Sequence, residues 1–155
     1  MGLPIYQGTR IRTNPTVTVG AYSANQVVGG IQTLTNAIRT ASAYGVLQSV
    51  TVVDASGQKP QLSLFFFSSN PAGGTYADHV AITLNAADIP FLLGKVDLAT
   101  AAYDSIGAGG IVTASPVGLL LQGDASGNVY VVATTTGTPT LTALCMTFNY
   151  GIQQA

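Results

Sequence analysis

Apolar and polar residues alternate along much of this chain, and the most apolar stretch lies in residues 45–69. A β-branched run at residues 46–53 leads into the polar turn DASG at residues 54–57, and the apolar run LSLFFF follows at residues 62–67. Two such runs on either side of a Gly-containing turn predict one long β-hairpin. The three consecutive phenylalanines make both faces of the second arm apolar, which a half-solvated sheet does not tolerate. We therefore expect this hairpin to lie between two layers or beneath a partner.

The same alternation predicts further strands in the rest of the chain. We expect them at residues 16–20, 26–39, 81–84, 111–121, 128–136 and 141–152, although residues 34–38 would also suit one helical turn. The last strand has one apolar face, formed by Leu144, Met146, Phe148, Tyr150 and Ile152. Asn85 is expected to cap a short helical turn that Pro90 limits, and residues 94–110 are expected to be irregular.

The tetrapeptide DASG occurs twice, at residues 54–57 and again at residues 124–127. In each copy the Asp side chain can cap the turn, and the Gly can adopt the positive φ that such a turn requires. The flanking sequences do not match, so the two copies do not form a repeat. We expect two hairpins that are closed by the same turn chemistry.

About eight short strands, with turns rich in Gly and Asp, predict an all-β fold with one short helical insert. The expected architecture is an antiparallel β-sandwich that is jelly-roll-like. A chain of 155 residues suits one such domain, which we place at residues 16–155. A Greek-key barrel and an immunoglobulin-like sandwich are the alternatives, and the absence of Trp and of a Cys pair disfavours the second.

Residues 1–15 are expected to form an N-terminal arm, because two prolines and a glycine interrupt any regular pattern there. Four residues are its candidate contacts with a surface: Arg10, Arg12, Ile5 and Tyr6. Terminal segments order only when they are tied down, so the alternatives to a docking arm are a frayed terminus and an edge strand.

Composition changes this picture mainly through the scarcity of charge. Charged residues make up 7% of the chain, the net charge is −1, and Glu is absent. This balance argues against a general nucleic-acid or membrane patch. Combined with 47% hydrophobic residues, it favours a chain that packs against other subunits. The N-terminal residues lack the apolar core of a secretory signal, and no apolar run is long enough to predict a membrane span.

The sequence offers little that could carry catalysis. His79 is the only histidine, and its neighbour Asp78 would point to the opposite face of a strand, so the pair does not suit a catalytic triad. The single cysteine, Cys145, is expected to be buried and inert. Neither Asp54 nor Asp124 has the further carboxylates that a calcium site needs. We expect no enzyme activity, no metal and no cofactor.

Four segments carry a resemblance to a known family: GAYSANQVVGG at residues 20–30, GVLQSVTV at residues 45–52, DASGQKP at residues 54–60 and FSSNP at residues 67–71. With them, most of residues 16–152 resembles a family of small head proteins of tailed bacteriophages, understood as capsid decoration or cement proteins.

This resemblance implies a jelly-roll-like virion structural protein that binds the outside of an expanded icosahedral capsid. Its partners would be the major capsid protein, whose subunits it bridges, and further copies of itself in a dimer or trimer. It would be made in the host cytoplasm, and the arm with Arg10 and Arg12 would order against a capsid subunit or a neighbouring copy. The resemblance carries no residue-level site.

A carbohydrate-binding β-sandwich, as in lectin-like domains or phage tail fibres, is the alternative function. Sugar sites often present exposed aromatic rings beside Asp or Asn side chains. The candidate pairs in this chain are Tyr76 with Asp78 and Tyr103 with Asp104.

Overall fold

The computed structural model describes residues 7–155, and within them the chain forms twelve β-strands. Their bounds are β1 Gln7–Thr13, β2 Gly20–Ala21, β3 Val27–Leu34, β4 Tyr44–Asp54, β5 Leu62–Phe67, β6 Leu92–Leu98, β7 Asp104–Ile106, β8 Gly109–Ala114, β9 Leu119–Gln122, β10 Val129–Thr135, β11 Thr140–Leu141 and β12 Met146–Gln154. Two 3-10 turns, Ile89–Phe91 and Thr100–Ala102, are the helical elements of this described part. No helix among residues 7–155 has the length and apolarity needed to cross a membrane.

The larger of two main sheets has six strands in the order β1-β12-β4-β8-β7, and β9 pairs with the free end of β4. Strand β12 lies between β1 and the central strand β4, and its buried residues alternate with part-exposed ones over the whole length of the strand. Met146, Phe148, Tyr150 and Ile152 point into the core, so the predicted apolar face is confirmed for these four residues.

The second main sheet has four antiparallel strands in the order β3-β10-β5-β6. Strands β5 and β10 are apolar on both faces, as the sequence predicts for the phenylalanine run. Leu62, Leu64 and Phe66 contribute to the core between the sheets, whereas Phe67 belongs to a second cluster on the outer face. The expectation that β5 is covered on both sides is therefore confirmed.

These observations confirm the predicted fold class, an all-β antiparallel sandwich with jelly-roll-like alternation of strands between two sheets. The N-terminal segment adds an edge to it. Strand β1 pairs with β12 along its full length, from Gln7 opposite Gln154 to Thr13 opposite Phe148. Of the alternatives for residues 1–15, an edge strand thus describes residues 7–13, while a domain boundary at residue 16 stays a prediction.

The predicted hairpin of residues 45–69 is wrong. Its two arms are β4 and β5, which belong to different sheets and pair with other strands. The turn at Asp54 therefore carries the chain from one sheet to the other. The second DASG turn does the same between β9 and β10, so it does not close a hairpin either.

The predicted chemistry of these two turns is nevertheless present. Asp54 accepts hydrogen bonds from the amides of Ser56 and Lys59, and Asp124 accepts them from Ser126 and Asn128. The last residues of the two turns, Gly57 and Gly127, have φ angles of 72° and 78°. The same turn chemistry thus makes two crossings between sheets.

Several local predictions need correction, and one of them is the strand expected at residues 81–84, where the structure has isolated bridges at Ala81 and Thr83 but no strand. Residues 16–20 form no strand before Gly20, because the Thr18 amide bonds to side chains instead of a neighbouring strand. Residues 94–110, predicted to be irregular, contain most of β6 and all of β7. The strand expected at 111–121 is divided into β8 and β9, and Leu144 lies in a turn with 69% of its surface exposed.

Candidate functional site

The outer face of the four-stranded sheet is covered by the segment between β5 and β6, residues 68–91, which we call the cover. Two of its side chains, Tyr76 and Ile82, pack on the apolar cluster that Val27, Phe67 and Val132 form on the sheet. The rings of Phe67 and Tyr76 meet edge to face, with their centroids 6.0 Å apart. The cover therefore has a small apolar core of its own.

One end of the cover is fixed by a buried carboxylate, Asp88. Its oxygens accept a hydrogen bond of 2.6 Å from the Tyr76 hydroxyl and further bonds of 2.9–3.1 Å from the amides of Ala72, Gly73 and Gly74. The bond from Tyr76 is the main reason that the pKa of Asp88 lies below its ordinary value. Burial, together with this bond, raises the pKa of Tyr76 to about 12.

The other fixed point of the cover is Asp78, which binds the segment between β1 and β3 and the beginning of β3 itself. It accepts hydrogen bonds from the amide and hydroxyl of Thr18, from the Tyr22 hydroxyl at 2.9 Å and from the Gly29 amide at 2.6 Å. Burial alone would raise the pKa of Asp78, but these donors outweigh it and the pKa lies below its ordinary value. Both carboxylates are therefore ionised, and their role is structural, because each holds separate parts of the chain together through hydrogen bonds.

Beside the cover lies a groove of about 230 Å³, lined entirely by apolar side chains. We call it the apolar groove, and its lining residues are Phe65, Phe67, Ile82, Leu84 and Leu92. Leu84 is 48% exposed, and Phe91, which directly precedes Leu92, is 41% exposed. This exposed apolar surface makes the groove a candidate site of contact with another macromolecule.

The structure places both candidate sugar-binding tyrosines in the interior. Tyr76 is 6% exposed and Tyr103 is 7% exposed, so neither ring is available to stack on a sugar. The Tyr103 hydroxyl donates to the carbonyl of Pro60, and burial raises its pKa. Neither tyrosine is an exposed aromatic residue, because each ring packs in an apolar cluster. The sequence of an irregular segment does not reveal such packing.

The candidate arm residues divide between described and undescribed parts of the chain. Arg10 and Arg12 are exposed on the outer face of the six-stranded sheet, while Ile11 between them packs against the core. Ile5 and Tyr6 lie outside the described residues. The arginines lie on one sheet and the Tyr76–Asp78 pair belongs to the cover of the other, so the two candidate sets do not form one site.

The remaining candidates for chemistry have structural surroundings. The His79 ring stacks on Tyr22 with a centroid distance of 4.4 Å, and its Nε2 lies 3.0 Å from the carbonyl oxygen of Ala21. Cys145 is buried, and this burial raises the pKa of its thiol. Among residues 7–155, no group of three or more His, Cys, Asp or Glu side chains could hold a metal ion.

Sequence reasoning missed the apolar groove and its carboxylate support. A weak signal exists, since Leu84, Ile89 and Phe91 are large apolar residues in a stretch that otherwise has turn composition. Such residues either bury themselves or mark a contact surface. The sequence does not indicate the role of Asp88, because Ala72, Gly73 and Gly74 bind it only through their backbone amides.

No protein-family model matches this chain, and no curated protein matches it. Chains of solved structures do match. One of them belongs to a structure of tomato aspermy virus determined by X-ray crystallography, with a TM-score of 0.44 and 10% sequence identity over 96% of this chain and 76% of that chain. The fold class stated above rests on the strand pairing and not on this likeness.

Proposed function

We propose that the chain is a non-enzymatic structural protein of a tailed-bacteriophage virion. It decorates the outside of the expanded icosahedral capsid and bridges major capsid subunits, after synthesis in the host cytoplasm. The observation that carries the proposal is the apolar groove, an exposed apolar surface on a chain with few charges. The resemblance of residues 16–152 to phage decoration proteins gives this surface its partner.

The groove suits such a contact because its support is fixed before binding. The cover is held at Asp78 and Asp88 by at least three donors each, so little ordering is needed when a partner docks. Leu84 and Phe91 would be removed from water against a capsid subunit, at a gain of about 25 cal/mol for each Å² of apolar area.

The proposed role needs no reaction and no cofactor. A protein that binds the assembled, expanded lattice but not its separate subunits shifts the equilibrium toward the intact shell. Each contact needs to bury only about 800 Å² per partner to be specific, and many symmetric copies multiply the effect. Nucleic acid and membranes are not proposed as partners, because the net charge is −1.

The test is co-sedimentation of the purified chain with expanded heads of the parent phage that lack it. Unexpanded heads and bacterial cells are the controls. We expect saturable binding to expanded heads alone, at a ratio set by the lattice. Binding to cells without binding to heads would instead favour the carbohydrate-binding alternative, and binding to neither would contradict both functions.

Two matched variants locate the contact. Leu84→Asp places a charge in the lining of the apolar groove, and Leu144→Asp makes the same change at an exposed residue of a different loop. We expect Leu84→Asp to weaken binding to heads roughly tenfold or more, because it buries an unpaired charge, while Leu144→Asp binds like the parent chain. Equal binding by both variants would show that the groove is not the contact.

A further inference from the structure

The outer face of the six-stranded sheet differs from that of the four-stranded sheet, because no apolar cluster formed by residues 7–155 packs on it and three shallow depressions open on it. The middle of this face carries small, uncharged residues at part-exposed or exposed positions: Ser49, Thr51, Thr113, Thr147, Asn149 and Gly151. We call this surface the open face. Its middle has no charge that would oppose removal from water.

Charges stand only at the two edges of the open face, and they have opposite signs. Strand β1 places Arg10 and Arg12 along one edge, and β7 places Asp104 at the other, where it lies opposite Ile111 of β8. Within residues 7–155 none of the three forms an ion pair. The nearby Lys59 ammonium donates to Ser105, which points to the opposite side of β7 from Asp104.

The strand register fixes the relative positions of these charges. Arg12 lies in one cross-strand row with Asn149, Thr51 and Thr113. Asp104 lies in the next row, which contains Ile111, Val53 and Thr147. Adjacent rows on one face are separated by two residues, or about 6.8 Å, so a long arginine side chain covers the offset.

A second copy of the chain fits this arrangement. If two open faces meet around a two-fold axis that runs parallel to the strands, β1 of each copy lies over β7 of the other. Arg12 then faces Asp104 at both lateral edges of the interface, Arg10 lies one row further from Asp104 on the same edge, and small uncharged residues fill the middle. Charges at the rim and few charges at the centre are the usual composition of a specific protein interface.

The size of the open face is sufficient for such a contact. Strand β12 has nine residues, and the sheet is five strands wide. With a rise of about 3.4 Å per residue and about 4.8 Å between strands, the face measures about 30 Å by 19 Å. Two such faces bury about 1,100 Å² together, which exceeds the roughly 1,000 Å² expected of a specific interface.

Apolar pairs near both ends of the strands add to the contact. Val46 lies opposite Leu120, and Val53 lies opposite Ile111, with all four side chains at least part-exposed on the open face. We propose that the open face is the interface of a homodimer in which Arg12 of one copy faces Asp104 of the other. This inference does not depend on the proposed virion role, because it concerns the purified chain in solution.

The first test is the mass of the full chain by sedimentation velocity across a wide range of protein concentrations. We expect the parent chain to form a dimer. Thr51→Glu, which puts a charge in the middle of the open face, should be monomeric, whereas Thr138→Glu, the same change in an exposed loop, should remain a dimer. A parent chain that is monomeric throughout, or a dimeric Thr51→Glu, would overturn the proposal.

The second test addresses the charged rims. Asp104→Arg should weaken the dimer roughly tenfold or more, because like charges then face each other at two places. Adding Arg12→Asp to the same chain should restore the parent affinity. If Asp104→Arg has no effect, or if the added change does not restore the dimer, the assigned arrangement of the two copies is wrong. Folding of every variant is checked by circular dichroism.

Discussion

At the scale of single residues, this chain uses most of its carboxylates inside its own structure. Asp54 and Asp124 cap turns, while Asp78 and Asp88 fix the cover. Each accepts hydrogen bonds from backbone amides that would otherwise lack a partner in a loop. The surface is therefore left with few charges, so apolar and neutral contacts are available for association.

The DASG turns provide a residue-scale prediction. Gly57 has a φ of 72°, and a Cβ added there would lie 2.3 Å from the carbonyl oxygen of Ala108. Gly118 has a φ of 73°, but a Cβ added there would meet nothing within 4 Å. Gly118→Ala should cost about 1–2 kcal/mol for the positive φ alone. Gly57→Ala should cost about 3 kcal/mol or more, because backbone must also move.

The measurement is the free energy of unfolding in urea for both variants and for the parent chain. The two substitutions share their chemistry and their backbone conformation, so the difference between them isolates the clash with Ala108. Equal losses of stability would show that the first sheet crossing, at residues 54–57, is not as tightly packed as described.

At the scale of elements, the sequence predicts which residues form strands better than which strands pair. Alternation identifies β12 because its buried positions follow a period of two, and the continuous apolar run identifies β10, which is buried on both faces. Pairing depends on contacts across the whole chain, and a Gly-containing turn between two apolar runs looks the same whether it closes a hairpin or connects two sheets. For this reason the sequence predicts a hairpin at Asp54, where the structure has a connection between two sheets.

The sequence of β6 contains the alternation typical of a strand, but the residues around it favour an irregular segment. Lys95 and Asp97 are exposed and alternate with the buried Val96 and Leu98, which is the pattern of a half-buried strand. The surrounding glycines and short polar residues suggested an irregular segment. The apolar groove was less accessible still, since it exists only where the cover meets β5 and β6 in three dimensions.

The cover supports an element-scale prediction about acid. A carboxylate whose pKa is lowered by folding adds stability above its unfolded pKa of about 3.9, and this stability is lost as the pH falls through the folded pKa. The pKa values of Asp78 and Asp88 are both lowered. The cover should therefore loosen below about pH 4, and Asp88→Asn should loosen it already at neutral pH.

Hydrogen exchange at neutral pH measures this loosening. The amides of Ile82 and Thr83 bond to the carbonyl oxygens of Asn25 and Thr75, so they report on the cover. We expect Asp88→Asn to speed their exchange while the amides of β10 stay protected. Asp104→Asn is the matched control, since Asp104 lies on β7 of the other sheet. Unchanged exchange in Asp88→Asn would mean that the apolar cluster alone holds the cover.

At the scale of the whole molecule, stability comes from the core between the sheets and owes little to charge pairs. Among residues 7–155 there is one ion pair, between Lys95 and Asp97 at 2.9 Å, and both side chains are more than half exposed. An exposed pair of this kind contributes about 0–1 kcal/mol. The two outer faces of the sandwich are correspondingly specialised: one carries the apolar groove, and the other carries charges of opposite sign at its edges.

Salt should therefore separate folding from association. Raising NaCl from about 0.05 M to about 0.5 M screens exposed charges, but it barely affects buried hydrogen-bonded carboxylates. In the monomeric Thr51→Glu variant, the free energy of unfolding should change by less than about 0.5 kcal/mol. In the parent chain, the same change should weaken the dimer, because Arg12 and Asp104 meet at a solvent-exposed rim. A dimer that is insensitive to salt would show that the rim charges do not face each other, whereas a fold that loses stability in salt would show that exposed charges hold the sandwich together.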